Sequence, residues 1–406
     1  MRVTTVVNRM LDIPDAKVTS VEVTEDGVIV SLVSRVAGHR CPCGTRVEGR
    51  YDQSRRRWRH LDMMKMPVWL EFDIARVACP ACARVRTEEV PWARPAARHT
   101  RDFEDVVSWL AQRLDKTAIA DLMRCSWRAV NRIVGHVVVE HLDEGRLDGL
   151  VNIGVDEISY KRGHKYLTIV ADHDSGRVVY VAQGATGAAL TEFFDALGPQ
   201  RCAQIQGISM DMASRWAEPV RTAIPDATVC YDPFHIIKWA NDALNMVYSA
   251  SARSLPFTGG VKVWRRTRRL VRTGAEHLDP QEQAAIRALR RARRPLFDAW
   301  ELKERLRDLY RIVRPNRARA YLHAWINAAL ASGLKPFINL ANRFTKYFDG
   351  IVAAVEYGLS NSRLEGINSK IRLINRRAHG HRTAESLTAM IYLCLGGITI
   401  SLPTQR

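Results

Sequence analysis

Between Leu150 and Asp232 the order of residues permits few folds. Val151, Ile153 and Val155 alternate with Asn152, Gly154 and Asp156, so one face of this segment is apolar and the other carries the polar set. Lys161-Arg162-Gly163 and Asp174-Ser175-Gly176 turn the chain into two further strands, near residues 166–171 and 178–181. A helix is expected over about 188–197, then a strand over 205–211 in which Ile208 and Met210 face one way and Ser209 and Asp211 the other. A second helix, with Trp216, Val220 and Ile224, leads to a fifth strand over 228–232.

Three antiparallel strands followed by helix, strand, helix and strand form the order of a ribonuclease-H-like sheet, whose first and fourth strands lie side by side. Asp156 and Asp211 are then within reach of one another. Two ionised carboxylates that close repel unless a cation sits between them, and oxygen ligands with water suit Mg²⁺, or Mn²⁺. Two such ions activate a water or a 3′-hydroxyl and stabilise the leaving oxygen of a phosphodiester. A third carboxylate is expected on a helix after the fifth strand.

The charge agrees with a polyanionic partner. The 406 residues carry 61 Lys+Arg against 43 Asp+Glu, a formal +18, while charged and hydrophobic fractions stay near globular averages, which excludes a disordered chain. The length allows about two to three domains. Residues 262–319 alone hold eighteen Lys/Arg and seven Asp/Glu, with Trp264 and helical apolar spacing at Leu302, Leu306, Leu309 and Ile312, so phosphate tracking is expected there. No signal peptide opens the chain, and the longest apolar stretch, 389–402, is too short for a membrane span and reads as a buried helix or strand. A cytoplasmic protein is expected.

Two recognition modules precede the sheet. Residues 1–33 read as a short β-element turning at Asp26-Gly27. Cys41-Pro42-Cys43-Gly44 and Cys79-Pro80-Ala81-Cys82 resemble the two knuckles of a zinc ribbon, with a structural Zn²⁺ on Cys41, Cys43, Cys79 and Cys82. The first pair is one residue short, which leaves His39 as an alternative ligand. Between the knuckles, Arg55, Arg56, Arg57 and Arg59 flank Trp58 and are candidates for phosphate contact. From Arg101 to Leu142 the period is helical, with Phe103, Val106, Val107, Leu110 and Leu114 on one face. Residues 116–133 then form a helix-turn-helix pattern. Ile119, Met123, Cys125, Val130 and Ile133 fill its packing positions, Arg124 stands where a small turn residue is usual, Ser126 caps the second helix, and Trp127, Arg128, Asn131 and Arg132 face a major groove.

Gly154-Val155-Asp156-Glu157, the segment Lys161 to Thr168, Ser209-Met210-Asp211-Met212, Tyr231-Asp232-Pro233-Phe234-His235 and the stretch from Asn361 to Gly380 together resemble the bacterial insertion-sequence transposases of the ISL-three family, over essentially the whole chain. That resemblance implies a DDE catalytic triad of Asp156, Asp211 and Glu365, each a metal ligand. Glu356 and Glu385 compete for the third place, but Glu365 has Asn361 four residues before it and Lys370, Arg372, Arg376 and Arg377 trailing it as a basic surface for DNA. Asp232 and His235 match a supporting Asp-x-x-His signature, with a helix cap and a core histidine as the plainer readings. Asn368 is a further supporting residue, and Glu157 belongs behind Asp156.

The expected domains are a zinc-ribbon-like module over 1–97, a helix-turn-helix over 98–148, the first part of the core over 149–240, an all-helical insertion over 241–350 and the rest of the core over 351–406. The implied activity is binding of terminal inverted repeats, metal-dependent hydrolysis at the element's end and strand transfer to target DNA by at least a homodimer. A non-catalytic DNA-binding regulator and a structure-specific nuclease are the alternatives.

Overall fold

The computed structural model describes residues 2–142, 144–254, 260–311 and 313–405; Ile312 lies outside them. Two compact units form, one from residues 1–143 with 377–406 and the other from 144–376.

The first unit opens with α1 (Val3–Leu11), then β1 (Ala16–Thr24), β2 (Gly27–Ser34), β3 (His39–Arg40), β4 (Arg46–Val47), β5 (Asp52–Met63), β6 (Met66–Cys79) and β7 (Arg84–Thr87). The main sheet runs β1-β2-β6-β5, with β7 paired to β6. Its core holds Val18, Val28, Val30, Leu32, Trp58, Val68, Leu70 and Trp92. Gly27 turns the first hairpin at φ +135°, and a Cβ there would stand 2.3 Å from the Pro67 carbonyl oxygen. The first eleven residues correct the β reading. The β-branched run Val3-Thr4-Thr5-Val6-Val7 becomes a helix because Val7 is buried in the sheet's core, and Asn8 accepts the Val18 N–H at 2.9 Å. Tertiary contacts here override β propensity.

Helices α2 (Arg101–Ala111), α3 (Lys116–Leu122) and α4 (Trp127–His141) follow. Phe103, Val107, Ile119, Val130 and Ile133 are buried between them, while Leu114 is exposed.

The second unit contains β8 (Asn152–Lys161), β9 (Lys165–Asp172), β10 (Val178–Gln183), α5 (Gly187–Leu197), α6 (Pro199–Cys202), β11 (Gly207–Met210), α7 (Ser214–Ala223) and β12 (Thr228–Tyr231). The strand order is β10-β9-β8-β11-β12, antiparallel across the first three and parallel from β8 to β12. The first and fourth strands of this sheet are therefore neighbours, as expected. Ile153, Val155, Phe193, Ile208, Met210 and Trp216 pack one of its faces.

Helices α8 (Pro233–Ser254), α9 (Gly260–Arg272), α10 (Pro280–Ala292), α11 (Arg294–Arg311), α12 (Ala318–Ala331), α13 (Lys335–Lys346), α14 (Phe348–Tyr357) and α15 (Ser362–Arg377) come next, most of them around a core that includes Leu244, Leu306, Trp325, Phe337 and Phe344. The boundaries expected at 240 and 350 fall inside α8 and α14, whose apolar residues belong to this shared core, so no break separates sheet from helices there. The expected 351–406 segment is also divided. Residues 377–406, with α16 (Ala384–Leu395), fold with the first unit, where Leu387, Met390, Ile391 and Leu393 are buried. Among the described residues no helix is long and apolar enough to cross a membrane.

Candidate active site and metal centre

Strand register puts three aspartates at one level. Gly154 is opposite Ser209 in the β8–β11 pair, so Asp156 and Asp211, each two residues further, are equivalent positions. Met210 is opposite Tyr231, which makes Asp232 the equivalent of Asp211 on the next strand. All three stand at the C-terminal side of parallel pairing, where ladder hydrogen bonding ends and side chains can converge on a ligand.

Asp156 is held on both oxygens. Oδ1 accepts the Glu157 N–H at 2.8 Å and Oδ2 accepts from Asn368 Nδ2 at 2.7 Å. Burial pushes its carboxyl up to about 6; the Glu157 N–H opposes this, and the charges of Asp211 and Asp232 add to it. Asp211 accepts the Ala213 N–H at 3.1 Å. Glu157 points away to an ion pair with Arg215. Asp232 is buried; its Oδ2 binds His235 Nδ1 at 2.9 Å and its Oδ1 accepts the Asn361 N–H at 3.3 Å. The Asp232 hydrogen bond raises the His235 pKa above its usual value. Neither residue follows its plainer reading: Asp232 has both oxygens committed to a cluster, and His235 is only partly buried.

Glu365 lies on α15, exposed, its carboxyl raised by partial burial and then by Asp232. Its N–H bonds to the carbonyl of Asn361 at 2.8 Å. Asn361 is buried and joins four elements, because its Nδ2 donates to the Val155 carbonyl at 3.2 Å and its Oδ1 accepts from the Ser209 hydroxyl. That hydroxyl has one proton, so His173 Nε2, 2.6 Å away, must be the donor to Ser209 Oγ. The chain His173–Ser209–Asn361–Asp232–His235 thus underlies the carboxylates. His173 and Ser209 were not found as site residues in the sequence. The available signal was Gly154, since a glycine inside a strand marks close approach: a Cβ there would stand 2.2 Å from the Leu364 side chain and 2.9 Å from His173 Nε2.

The cysteine cluster is tighter. Sγ–Sγ distances are 3.6 Å for Cys43–Cys79 and 3.9 Å for Cys41–Cys82, and the four sulfurs lie within 4.8 Å of one another. A tetrahedron of 2.3 Å Zn–S bonds has edges of about 3.8 Å, so the short first knuckle still delivers both thiols. The β3–β4 hairpin closes it through Cys41 N–H to Thr45 O at 2.9 Å and Gly44 N–H to Cys41 O at 2.8 Å. His39 is not in this close group of ligand atoms; its Nδ1 is 2.7 Å from Glu88. The Thr45 hydroxyl draws the Cys43 thiol down to about 6. Among the described residues this is the single group of three or more candidate ligands so close together. The carboxylates Asp156, Asp211 and Glu365 are spaced more widely.

Several expected DNA contacts are already occupied. Arg55 and Arg57 pair across the β5–β6 ladder with Asp73 at 3.0 Å and Glu71 at 2.6 Å. Arg56 donates to the Ala97 carbonyl at 2.6 Å, and Arg59 is buried against Asp62 and the His60 carbonyl. In α4, Trp127, Arg128 and Arg132 are exposed, while Asn131 is half-buried and its Oδ1 accepts from Lys116 Nζ and Ser386 Oγ. Ser126 caps α4 through the Ala129 N–H at 3.1 Å, and Arg124 takes φ +48°, where glycine is unstrained. Lys370, Arg372 and Arg376 are exposed, whereas Arg377 is bound to the carbonyls of Ala111 and Gln112 at 3.0 and 3.3 Å.

Comparison with known proteins meets this geometry at each module. Residues 153–391 match the family model described as transposase, 88–138 the helix-turn-helix domain of transposase family ISL3, and 37–82 the zinc-finger of transposase IS204/IS1001/IS1096/IS1165. The transposase for insertion sequence element IS1557 of Mycobacterium tuberculosis is 39% identical over 376 residues, covering 86% of this chain and 84% of the relative. The transposase for insertion sequence element IS1001 of Bordetella parapertussis is 27% identical over 345 residues, covering 84% and 85%.

Proposed function

The chain belongs to the ISL3 family of transposases, and from that premise we propose that it binds the terminal inverted repeats of its own insertion sequence, hydrolyses the end phosphodiester and joins the freed 3′-hydroxyl to target DNA. The observation that carries this reading is the level placement of Asp156, Asp211 and Asp232, with α15 pinned over them through Asn361. Asp156, Asp211 and Glu365 would hold two Mg²⁺, or Mn²⁺, since an all-oxygen, anionic donor set suits those ions. Bound there, the metal would lower the pKa of the attacking water or hydroxyl and stabilise the leaving oxygen.

The remaining groups act on those three. Asn368 and the Glu157 N–H fix the Asp156 carboxylate, and Asp232 turns His235 so that its Nε2 is left for a water or phosphate. Trp127, Arg128 and Arg132 would read the end sequence, and Lys370, Arg372 and Arg376 would hold the backbone near Glu365. The four cysteines would hold a structural Zn²⁺. Pairing two ends requires two copies of the chain, so a homodimer forms on DNA, and the work is done in the bacterial cytoplasm.

A cleavage assay on end-containing DNA with Mg²⁺ tests this. Wild type should nick its ends and yield joined products, and Asp156→Asn and Glu365→Gln should do neither. Activity retained in both variants removes the acids from the mechanism. Cutting without joining supports a nuclease.

A further inference from the structure

The basic segment over 262–319 divides into a neutralised part and an open part. On α11 most cations are matched: Arg294 pairs with Asp298 at 2.7 Å, Lys303 with Glu304 at 2.5 Å, Arg307 with Glu304 at 2.7 Å and with Glu276, and Arg311 with Glu276 at 3.0 Å. On α9, Arg265, Arg268, Arg269 and Arg272 recur at i, i+3, i+4 and i+7, opposite the buried Thr267 and Val271. Among the described residues only Arg269 of these four has a carboxylate partner, Glu282. Like charges at this spacing destabilise a helix. Yet the four arginines, with Asn241 and Thr273, line one open cleft of about 530 Å³.

The helix is firmly anchored. Fully buried Lys303 donates to the carbonyls of Val271 at 2.8 Å and Thr273 at 3.0 Å, and the Tyr248 hydroxyl donates to the Trp264 carbonyl at 2.8 Å. An anchored helix that presents three guanidiniums without a carboxylate partner suits an anion.

We infer that this cleft is a further DNA-binding site, one that grips the phosphate backbone of duplex DNA without reading its sequence. It rests on the DNA-handling reading above and adds a contact outside the zinc-ribbon, the helix-turn-helix and α15. Arg265 and Arg272 are about 10 Å apart along the helix, the axial advance of roughly three phosphates of one strand. Asn241 lies on α8, the helix that starts directly after Asp232. Nine residues separate the two, about 14 Å of helix, or roughly four phosphates. A duplex with its scissile bond at the carboxylates and its axis along α8 would reach the arginines.

The test uses the full chain and a short fluorescent duplex of arbitrary sequence, in EDTA, with affinity read against salt. Replacing the three unmatched arginines together (Arg265→Gln, Arg268→Gln, Arg272→Gln) should make the slope of log K against log salt shallower by about 2 to 3, at roughly 0.9 for each phosphate no longer neutralised. The same three positions changed to Lys should keep the slope, which shows that the Gln effect is charge and not misfolding. An unchanged slope in the Gln variant, or an equally shallow slope in both variants, overturns the site. The assay is run in EDTA and reads binding alone, so failure of the carboxylate assignment leaves the test intact.

Discussion

The four thiols of the first unit stand within 4.8 Å of one another, while the three carboxylates assigned to catalysis are spread more widely over strand ends and a helix. A thiol is neutral until its proton leaves, so four can be packed together before any ion arrives. Carboxylates are ionised at neutral pH and repel. Cys41 and Cys79 are buried, whereas Glu365 is exposed. A closed ligand set suits a structural ion, and an open one suits an ion that must also meet a substrate. The cysteines form one closed cluster, whereas Asn361 ties Ser209, Asp232 and the Val155 carbonyl together beneath the more widely spaced acids.

The largest expected effect is at the open site. Asp211→Asn should lower strand cleavage by roughly 10³-fold with end-DNA affinity unchanged, as read by single-turnover cleavage beside a binding titration. Undiminished cleavage would remove the contrast at its root.

At the closed site, Cys79→Ser should abolish bound zinc by elemental analysis and weaken end-DNA binding by about 10- to 100-fold. Zinc retained at full stoichiometry would show that the cluster is not one site.

Asn361→Ala sharpens the comparison further. Losing the brace should raise the Mg²⁺ concentration for half-maximal cleavage about 10- to 100-fold, with much of the rate recovered at saturating metal. A fall in rate that added metal does not restore would make Asn361 a folding residue only.

The smallest effects concern pH without metal. The folded Asp156 carboxyl titrates near 6 against a reference of 3.8, so its contribution to stability is full below 3.8 and is lost as pH rises through 6. His60 and His99, in the first unit, are held down to about 4 from 6.5 by burial, so theirs is full above 6.5 and lost as pH falls through 4. Acidification from pH 7 to 4 in EDTA should weaken the first unit and relieve the second, seen as hydrogen exchange changing in opposite directions in β5 and β8. At pH 7, Asp156→Asn should raise metal-free stability by up to about 3 kcal/mol.

Much of this was legible in the residues, though not uniformly. Alternation over 151–156 decided which side chain leaves the apolar face, whereas the close approach at Gly154 went unread. The partners of the charges were not legible. Arg55 and Arg57 read as a phosphate-binding run, and the β5–β6 register sets them opposite Asp73 and Glu71. Asn131 read as a groove contact, and its oxygen accepts from Lys116 and Ser386. The last thirty residues, expected with the catalytic core, pack with the first unit.

The strands of the catalytic sheet, their faces, the two cysteine pairs and the family follow from the order of residues alone, because periodicity, turn chemistry and motif spacing are local. Packing settles the rest: which arginines remain available, which asparagines are braces and where Glu365 stands relative to the aspartates. Those outcomes depend on which polar groups are buried together, and a buried group takes whatever partner the folded chain places within hydrogen-bond reach.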